Sequence, residues 1–282
     1  TRSAYVTGVL TCALPISASC LRTFILSLLS KRKTAVLFVL RFHMNPLGKI
    51  LLKASGAKVI ALSQESYQFY KKIVGKRAFY LKTGIDTDKF TPVNQEKKQI
   101  LREKYYIPAE KKVVLHVGHL KGSRNVDKLV GIDERYHIIL VVSSVTEAEK
   151  DASIRTMLEI RGNITIIDTY LRNVQEVYQL ADVYLFPVQE IENCIDIPLS
   201  VLEAASCNLP IVTTEYGELA SFIGQEGFLF TADLSSNSLN EALETMISKA
   251  EINNRQAVLE YDWRHSVDKL QRMIEAGDEI HG

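Results

Sequence analysis

Short, continuously apolar runs alternating with helix-patterned segments constrain this chain more than any other feature. Three such runs come first: "AVLFVLRF" (Ala35–Phe42), "KVIALS" (Lys58–Ser63) and "AFYLKT" (Ala78–Thr83). Six follow: "VVLHVG" (Val113–Gly118), "IILVVSS" (Ile138–Ser144), "ITIID" (Ile164–Asp168), "VYLFPV" (Val183–Val188), "PIVTT" (Pro210–Thr214) and "GFLF" (Gly227–Phe230). A strand with no polar alternation is one buried on both faces, which is the habit of parallel sheets covered by helices. The intervening segments supply those helices. Asn45-Pro46 reads as an N-cap followed by proline at the first helical position, and Ser63 caps "QESYQFYKKIV". The expected class is therefore α/β, with two doubly wound parallel sheets of which the first is incomplete.

The polar stretch "GIDTDKFTPVNQEKK", with Gly84 and Pro92, reads as the link between the two blocks. It sets expected domains at 17–93 and 94–255. The segment 256–282 carries Val258, Tyr261, Val267, Leu270 and Met273 at helical spacing. It is expected to form one amphipathic helix packing back toward the first domain. Residues 1–16 are set apart. "VTGVLTCALPI" (Val6–Ile16) has the look of a secretory h-region, but it also resembles a translated sequencing-adaptor oligonucleotide, with Leu10 where that would give Gln. The next apolar run stops at Lys31-Arg32-Lys33, short of the ~20 residues a membrane span needs.

A formal net charge of +1 over 282 residues provides no field for nucleic acid. The four cysteines show neither C-x-x-C spacing nor zinc-like histidine partners, which fits a reducing, cytoplasmic setting without a structural metal.

Ligands of open α/β sheets bind beyond the carboxyl ends of the strands, so the turns there are the places to search. The turn "GHLKGSRN" (Gly118–Asn125) lacks both the dinucleotide and the P-loop glycine patterns. It does combine Lys121 and Arg124 with two glycines just before an expected helix. That combination suits a diphosphate, or else a plain solvated turn. In "IDIPLSVLEAASCNLPIVTT" (Ile195–Thr214), Pro198 fits the first position of a helix that Asn208 and Pro210 end. Glu203 stands in that helix among Leu199, Val201, Leu202, Ala204 and Ala205. Desolvating an unpaired carboxylate costs several kcal/mol. Something must therefore donate to Glu203: a buried lysine or arginine, or the hydroxyls of a ligand. Asp196 lies at the same helix mouth. Two carboxylates at a helix start opposite a basic turn suit a ligand with hydroxyls and phosphates, such as a nucleotide sugar. His116 reads as a core residue and Trp263 as packing for the last helix. Tyr170 is either a loop tyrosine or a stacking partner for a nucleobase. Asp86-Thr87-Asp88 spells the D-x-D of some metal-dependent enzymes, but it lies in the linker.

These segments together resemble the retaining GT-B glycosyltransferases of family 4, the "group 1" enzymes. "IDIPLSVLEAASCNLPIVTT" resembles their donor-site segment. "TGIDTDKFTP" resembles their interdomain segment. "KVIALSQES", "ADVYLFPV" and "YDWRHSVDKL" resemble three further segments, in family order from about Thr34 to the end. The resemblance implies a metal-independent transfer of a sugar from a nucleotide-sugar donor, with no cofactor and with retained configuration. The acceptor would be a sugar, lipid or polysaccharide, as in cell-envelope synthesis, with peripheral contact at the inner face of a membrane. Glu203 matches the carboxylate that holds the ribose. Lys121 and Arg124, with the amides of Leu199 and Ser200, would receive the diphosphate. His43, after the first strand, matches a histidine near the sugar. The sequence departs from the pattern at two places. Ile195 stands where a glutamate should contact the sugar, leaving that role to Asp196, and His119 stands where an arginine is expected. The resemblance also implies that strands of the first domain are missing. A nucleotide-sugar binding module and a sugar-nucleotide epimerase remain as alternatives.

Overall fold

The computed structural model describes residues 16–29, 36–39, 44–142, 151–190, 195–249 and 252–275. The chain divides into two compact units, residues 1–83 with 264–282 and residues 84–263.

The first unit has a three-stranded parallel sheet ordered β1 (Val36–Val39), β2 (Lys58–Ala61), β3 (Ala78–Tyr80). Helix α1 (Ile16–Leu29) precedes it, and α2 (Pro46–Ala54) and α3 (Gln64–Val74) connect the strands. Both connecting helices start where the sequence indicates. The Asn45 side chain accepts from Gly48 N at 2.7 Å with Pro46 in the first turn, and the Ser63 hydroxyl accepts from Ser66 N at 3.2 Å. Leu37, Val39, Val59 and Ala61 are buried with Leu52 and Tyr70 in one apolar cluster.

The second unit is a six-stranded parallel sheet ordered β6-β5-β4-β7-β8-β9. Its strands are β4 (Lys112–Gly118), β5 (Tyr136–Val142), β6 (Ile164–Ile167), β7 (Val183–Phe186), β8 (Ile211–Thr213) and β9 (Phe228–Phe230). Strand order reverses between β4 and β7, the place where a doubly wound sheet opens a crevice at its carboxyl edge. The unbroken apolar character of the strands has a direct cause. In β5, Ile139 and Val141 enter one cluster, whereas Ile138, Leu140 and Val142 enter a second on the other face. Its helices are α4 (Gln95–Lys104), α5 (Ala152–Glu159), α6 (Gln175–Leu180), α7 (Leu199–Ser206), α8 (Ser236–Ile247) and α9 (Asn254–Val258), whereas α10 (Trp263–Glu275) belongs from Arg264 onward to the first unit.

Three sequence expectations change. The division between units falls at 83/84 rather than 93/94, because the supposed linker is part of the second unit. Ile85 pairs with the Tyr261–Trp263 backbone through bonds of 2.8 and 2.9 Å, and Phe90 is buried against Tyr178. The C-terminal segment is not one helix. α9 and a 3-10 turn (Leu259–Tyr261) end at Asp262, whose extended backbone pairs with Ile85 and whose carboxylate accepts from the Thr87 hydroxyl. α10 starts afresh there, and within the first unit its Ser266 hydroxyl donates to Lys82 O and Lys58 Nζ donates to Met273 O. Finally, no α-helix follows the basic turn. Short 3-10 segments, Gly122–Arg124 and Val126–Gly131, stand there instead.

Candidate functional site

The basic turn leaves the carboxyl end of β4 beside the end of β7. Asn125, in the left-handed region at φ 57°, folds the chain back and donates its side-chain amide to Pro187 O at 2.9 Å. Lys121 and Arg124, both half-buried, flank this 3-10 turn, and Arg124 N donates to Lys121 O at 3.0 Å. Without an α-helix here, the turn offers cations and amides but no helix dipole.

The dipole comes from α7. Pro198 is its N-cap, with ψ 119°, rather than its first residue, and no side chain caps it. The amides of Leu199 and Ser200 therefore belong to the donors that a helix start leaves without intrahelical acceptors. Asn208, at φ 60°, ends the helix through bonds from Asn208 N to Ala205 O and Leu209 N to Ala204 O. Val201, Leu202, Ala204 and Ala205 are buried, whereas Leu199, Ser200 and Glu203 share the half-buried face. Asp196 sits just before this helix. Glu218 N donates to its carbonyl at 2.8 Å, and a Cβ on Gly217 (φ 50°) would fall 2.2 Å from that same oxygen.

The donor to Glu203 is neither a lysine nor an arginine. Tyr178 of α6, wholly buried, donates its hydroxyl to Glu203 Oε2 at 2.6 Å. The Tyr178 ring packs edge-on against Phe90 and stacks at 6.0 Å on Tyr184, whose hydroxyl donates to Val117 O at 3.2 Å. Two tyrosines thus connect the carboxylate to the residue just before Gly118 of the basic turn. Burial raises the Glu203 carboxyl above the ordinary range, opposed by the Tyr178 hydrogen bond and by the charge of Lys89.

Behind α7, Arg255 gathers four bonds of 2.8–3.0 Å, to Phe90 O, Ser206 O, Ser206 Oγ and Thr87 O. The Ser206 hydroxyl donates to Phe90 O at 2.6 Å. The segment 84–93 is thereby fastened to the helix that carries Glu203. In the D-x-D tripeptide, Asp86 Oδ1 accepts from Asp88 N and Lys89 N at 3.2 and 2.9 Å, a local turn, and no metal-binding cluster occurs among the described residues. His116 is buried as expected, with Nδ1 2.9 Å from Leu185 O and Nε2 aimed at Gly118. Tyr170 is 91% exposed at the carboxyl end of β6. His43 lies outside the described residues.

Lys121 and Arg124 thus follow β4, and Asp196 and the helix α7 that carries Leu199, Ser200 and Glu203 follow β7, the strand paired with it. A cavity of about 290 Å³ opens beyond β7, β8 and β9, lined by Gln189, Thr214, Glu215, Phe230, Thr231 and Ala232. It contains none of the six. Sequence reasoning missed Tyr178, Tyr184, Asn125 and Arg255. A tyrosine at an inward helix position beside Val177 was the available signal for the first.

Residues 111–249 match the family described as glycosyl transferases group 1. Over 194 residues the chain is 22% identical to the putative teichuronic acid biosynthesis glycosyltransferase TuaC of Bacillus subtilis (strain 168), covering 67% of this chain and 46% of that protein. The chain therefore spans less than half the length of this relative. Among solved structures, Anabaena Alr3699/HepE in complex with UDP superposes with a TM-score of 0.74 at 16% identity, covering 92% of this chain and 77% of that one. WaaG, a glycosyltransferase involved in lipopolysaccharide biosynthesis, superposes with a TM-score of 0.62 at 15% identity, covering 87% and 80%. Likeness at such low identity shows the fold, which is that of the GT-B glycosyltransferases. Within the second unit, residues 111–249 are similar to the glycosyl transferases group 1 family.

Proposed function

We propose that the second unit binds a nucleotide-diphosphate sugar and that the protein transfers the sugar to an acceptor with retained configuration and without a metal ion. The observation that carries this reading is Glu203. A half-buried carboxylate has one oxygen fixed by a buried tyrosine, on the helix face that also presents Ser200, in the helix that follows β7, while the turn with two cations follows the paired strand β4. Ribose hydroxyls would donate to it. Lys121 and Arg124 would neutralise the departing diphosphate, with the amides of Leu199 and Ser200 donating to its oxygens as charge develops. With two cations and a helix start in those roles, the leaving group needs no divalent ion. The engagement of Asp86 in its own turn supports that reading. Asp196 would orient the sugar, and His43, matched by sequence alone to a histidine near the sugar, would assist it. HepE has been solved with UDP-glucose, TuaC is named for teichuronic acid biosynthesis, and WaaG is described as involved in lipopolysaccharide biosynthesis. These favour a uridine nucleotide donor and a cell-envelope acceptor, reached by peripheral contact with a membrane. Among the described residues no helix is long and apolar enough to cross a membrane.

A second reading, a donor-binding module without turnover, is favoured by Ile195 and His119 at positions where the family carries glutamate and arginine. Calorimetric titration with UDP and uridine, beside a donor-turnover assay on UDP-glucose, separates the cases. The transferase reading expects UDP binding and sugar release to an acceptor. Binding without turnover would establish the module, and no UDP binding would end both.

A further inference from the structure

Among the described residues, Tyr178 is the side chain hydrogen-bonded to the Glu203 carboxylate, and it has no freedom to leave. Its exposure is zero, its ring is held between Phe90 and Tyr184, and Tyr184 is itself tied to Val117 O. Two accounts of the contact compete. Glu203 could exist to satisfy a buried tyrosine hydroxyl, or Tyr178 could exist to fix the carboxylate. Their costs decide between them. A buried hydroxyl needs only one acceptor, and a backbone carbonyl would serve, whereas a carboxylate is far more expensive to desolvate and has a second oxygen to satisfy. A helix this apolar would not retain a carboxylate merely to serve a hydroxyl. Glu203 is also half-buried rather than sealed, so part of the residue stays open to the surface.

We propose that Tyr178 is a positioning residue: its hydroxyl anchors one oxygen of Glu203 so that the other is presented in a fixed direction to the ribose hydroxyls of the donor. This rests on the reading of Glu203 as the ribose-binding carboxylate. The role includes charge as well as direction. Among the described residues, the groups facing Glu203 are Tyr178 from α6, Lys89 from the segment before α4 and Cys207, the C-cap of its own helix, which in turn faces Arg255. Burial raises the Glu203 carboxyl, while the Tyr178 hydroxyl and Lys89 hold it down. Removing the hydroxyl raises it further. Ribose binding needs the ionised acceptor, so it would then be lost at a higher pH as the solution is acidified.

The test compares UDP with 2′,3′-dideoxyuridine diphosphate, which carries the same phosphates and base. Four proteins are titrated: the full chain, Tyr178→Phe, Glu203→Gln and the double variant. Tyr178→Phe keeps the ring and its packing. It is expected to weaken UDP about tenfold and the dideoxy nucleotide not at all, and to move the acid limb of UDP binding to higher pH. In the Glu203→Gln background the tyrosine change should have no further effect. An equal loss for both nucleotides, additive losses, or an unmoved acid limb would make Tyr178 merely structural and overturn the proposal. Glu203→Gln separates the two levels. If it weakens both nucleotides alike, the ribose reading fails and the proposal with it. If it is selective for UDP and Tyr178→Phe is not, the proposal alone fails.

Discussion

His116 gives β4 a built-in sensitivity to acid. Its ring is buried in the middle of a parallel strand, with Nδ1 against Leu185 O and Nε2 facing Gly118 without a partner. Burial, reinforced by the nearby charge of Arg124, lowers its pKa from 6.5 to about 4, against the contribution of the Leu185 carbonyl. The folded protein therefore keeps a neutral imidazole where the unfolded chain takes up a proton. The stability this provides is complete above pH 6.5 and is lost as pH falls from there toward 4. Each pH unit across that window is worth about 1.4 kcal/mol, so the full loss is ~3 kcal/mol, of which about 2 kcal/mol is gone by pH 5. Glu203, whose carboxyl burial raises, takes up its proton in the folded protein before it does in the unfolded chain and so offsets part of this loss in both proteins compared below. Asp182 is pushed up by burial but held below the ordinary range by Lys98, the Val113 amide and Arg102, so its contribution is lost only at lower pH. His137, lowered by burial and by Lys111, acts in the same direction as His116. A global melt would mix two units. The assay is therefore hydrogen exchange of β4 and β5 peptides at pH 7.5 and pH 5, corrected for intrinsic rates. His116→Gln, which carries no titrating proton, should lose about 2 kcal/mol less protection than the native protein between those pH values. Equal losses in both proteins would refute the assignment.

Other outcomes follow from the same contacts. Lys121→Ala with Arg124→Ala should weaken UDP far more than uridine in calorimetry, because only the phosphates need the cations; equal losses would make the turn structural. Asp182 accepts from Val113 N, Lys98 Nζ and Arg102 Nη2 at 2.7, 2.8 and 2.5 Å, and its side chain is 10% exposed. Asp182→Asn should destabilise the second unit by about 3–5 kcal/mol in urea denaturation, the usual cost of breaking a buried ion pair. Gly118→Ala would set a Cβ 2.8 Å from His116 Nε2, so a lowered denaturation midpoint and weakened UDP binding are expected together. A chain of residues 84–263 should be more stable in urea than one of residues 94–263, because Phe90 and Thr87 supply acceptors to Arg255 and Ser206.

The nine strands of the described residues were legible because a sheet covered on both faces writes itself as unbroken apolar runs, as the two-sided burial of β5 illustrates. The caps at Asn45 and Ser63 were legible because capping is a local interaction of residues three apart. What was not legible depends on partners distant in sequence. The break at Asp262 is imposed by Ile85, and the burial of the segment 84–93 is imposed by Arg255, Ser206 and Tyr178. No local pattern in "RQAVLEYDWRHSVDKL" announces either. Glu203 stood out as an anomaly, a carboxylate among apolar neighbours. Its partner did not, because a tyrosine 25 residues earlier on another helix is ordinary core composition until the fold brings the two together. The basic turn was found by charge and glycine content, but its 3-10 geometry depends on the positive φ of Asn125 and the bond to Pro187 O.

The most direct measurement of the central claim is a crystal structure of the chain with UDP. The account places the diphosphate within hydrogen-bonding distance of Lys121, Arg124 and the amides of Leu199 and Ser200, with the ribose hydroxyls on Glu203 and Tyr178 still bonded to its other oxygen. UDP lodged instead in the cavity at Gln189, Glu215 and Phe230, or bound with its ribose away from Glu203, would contradict it.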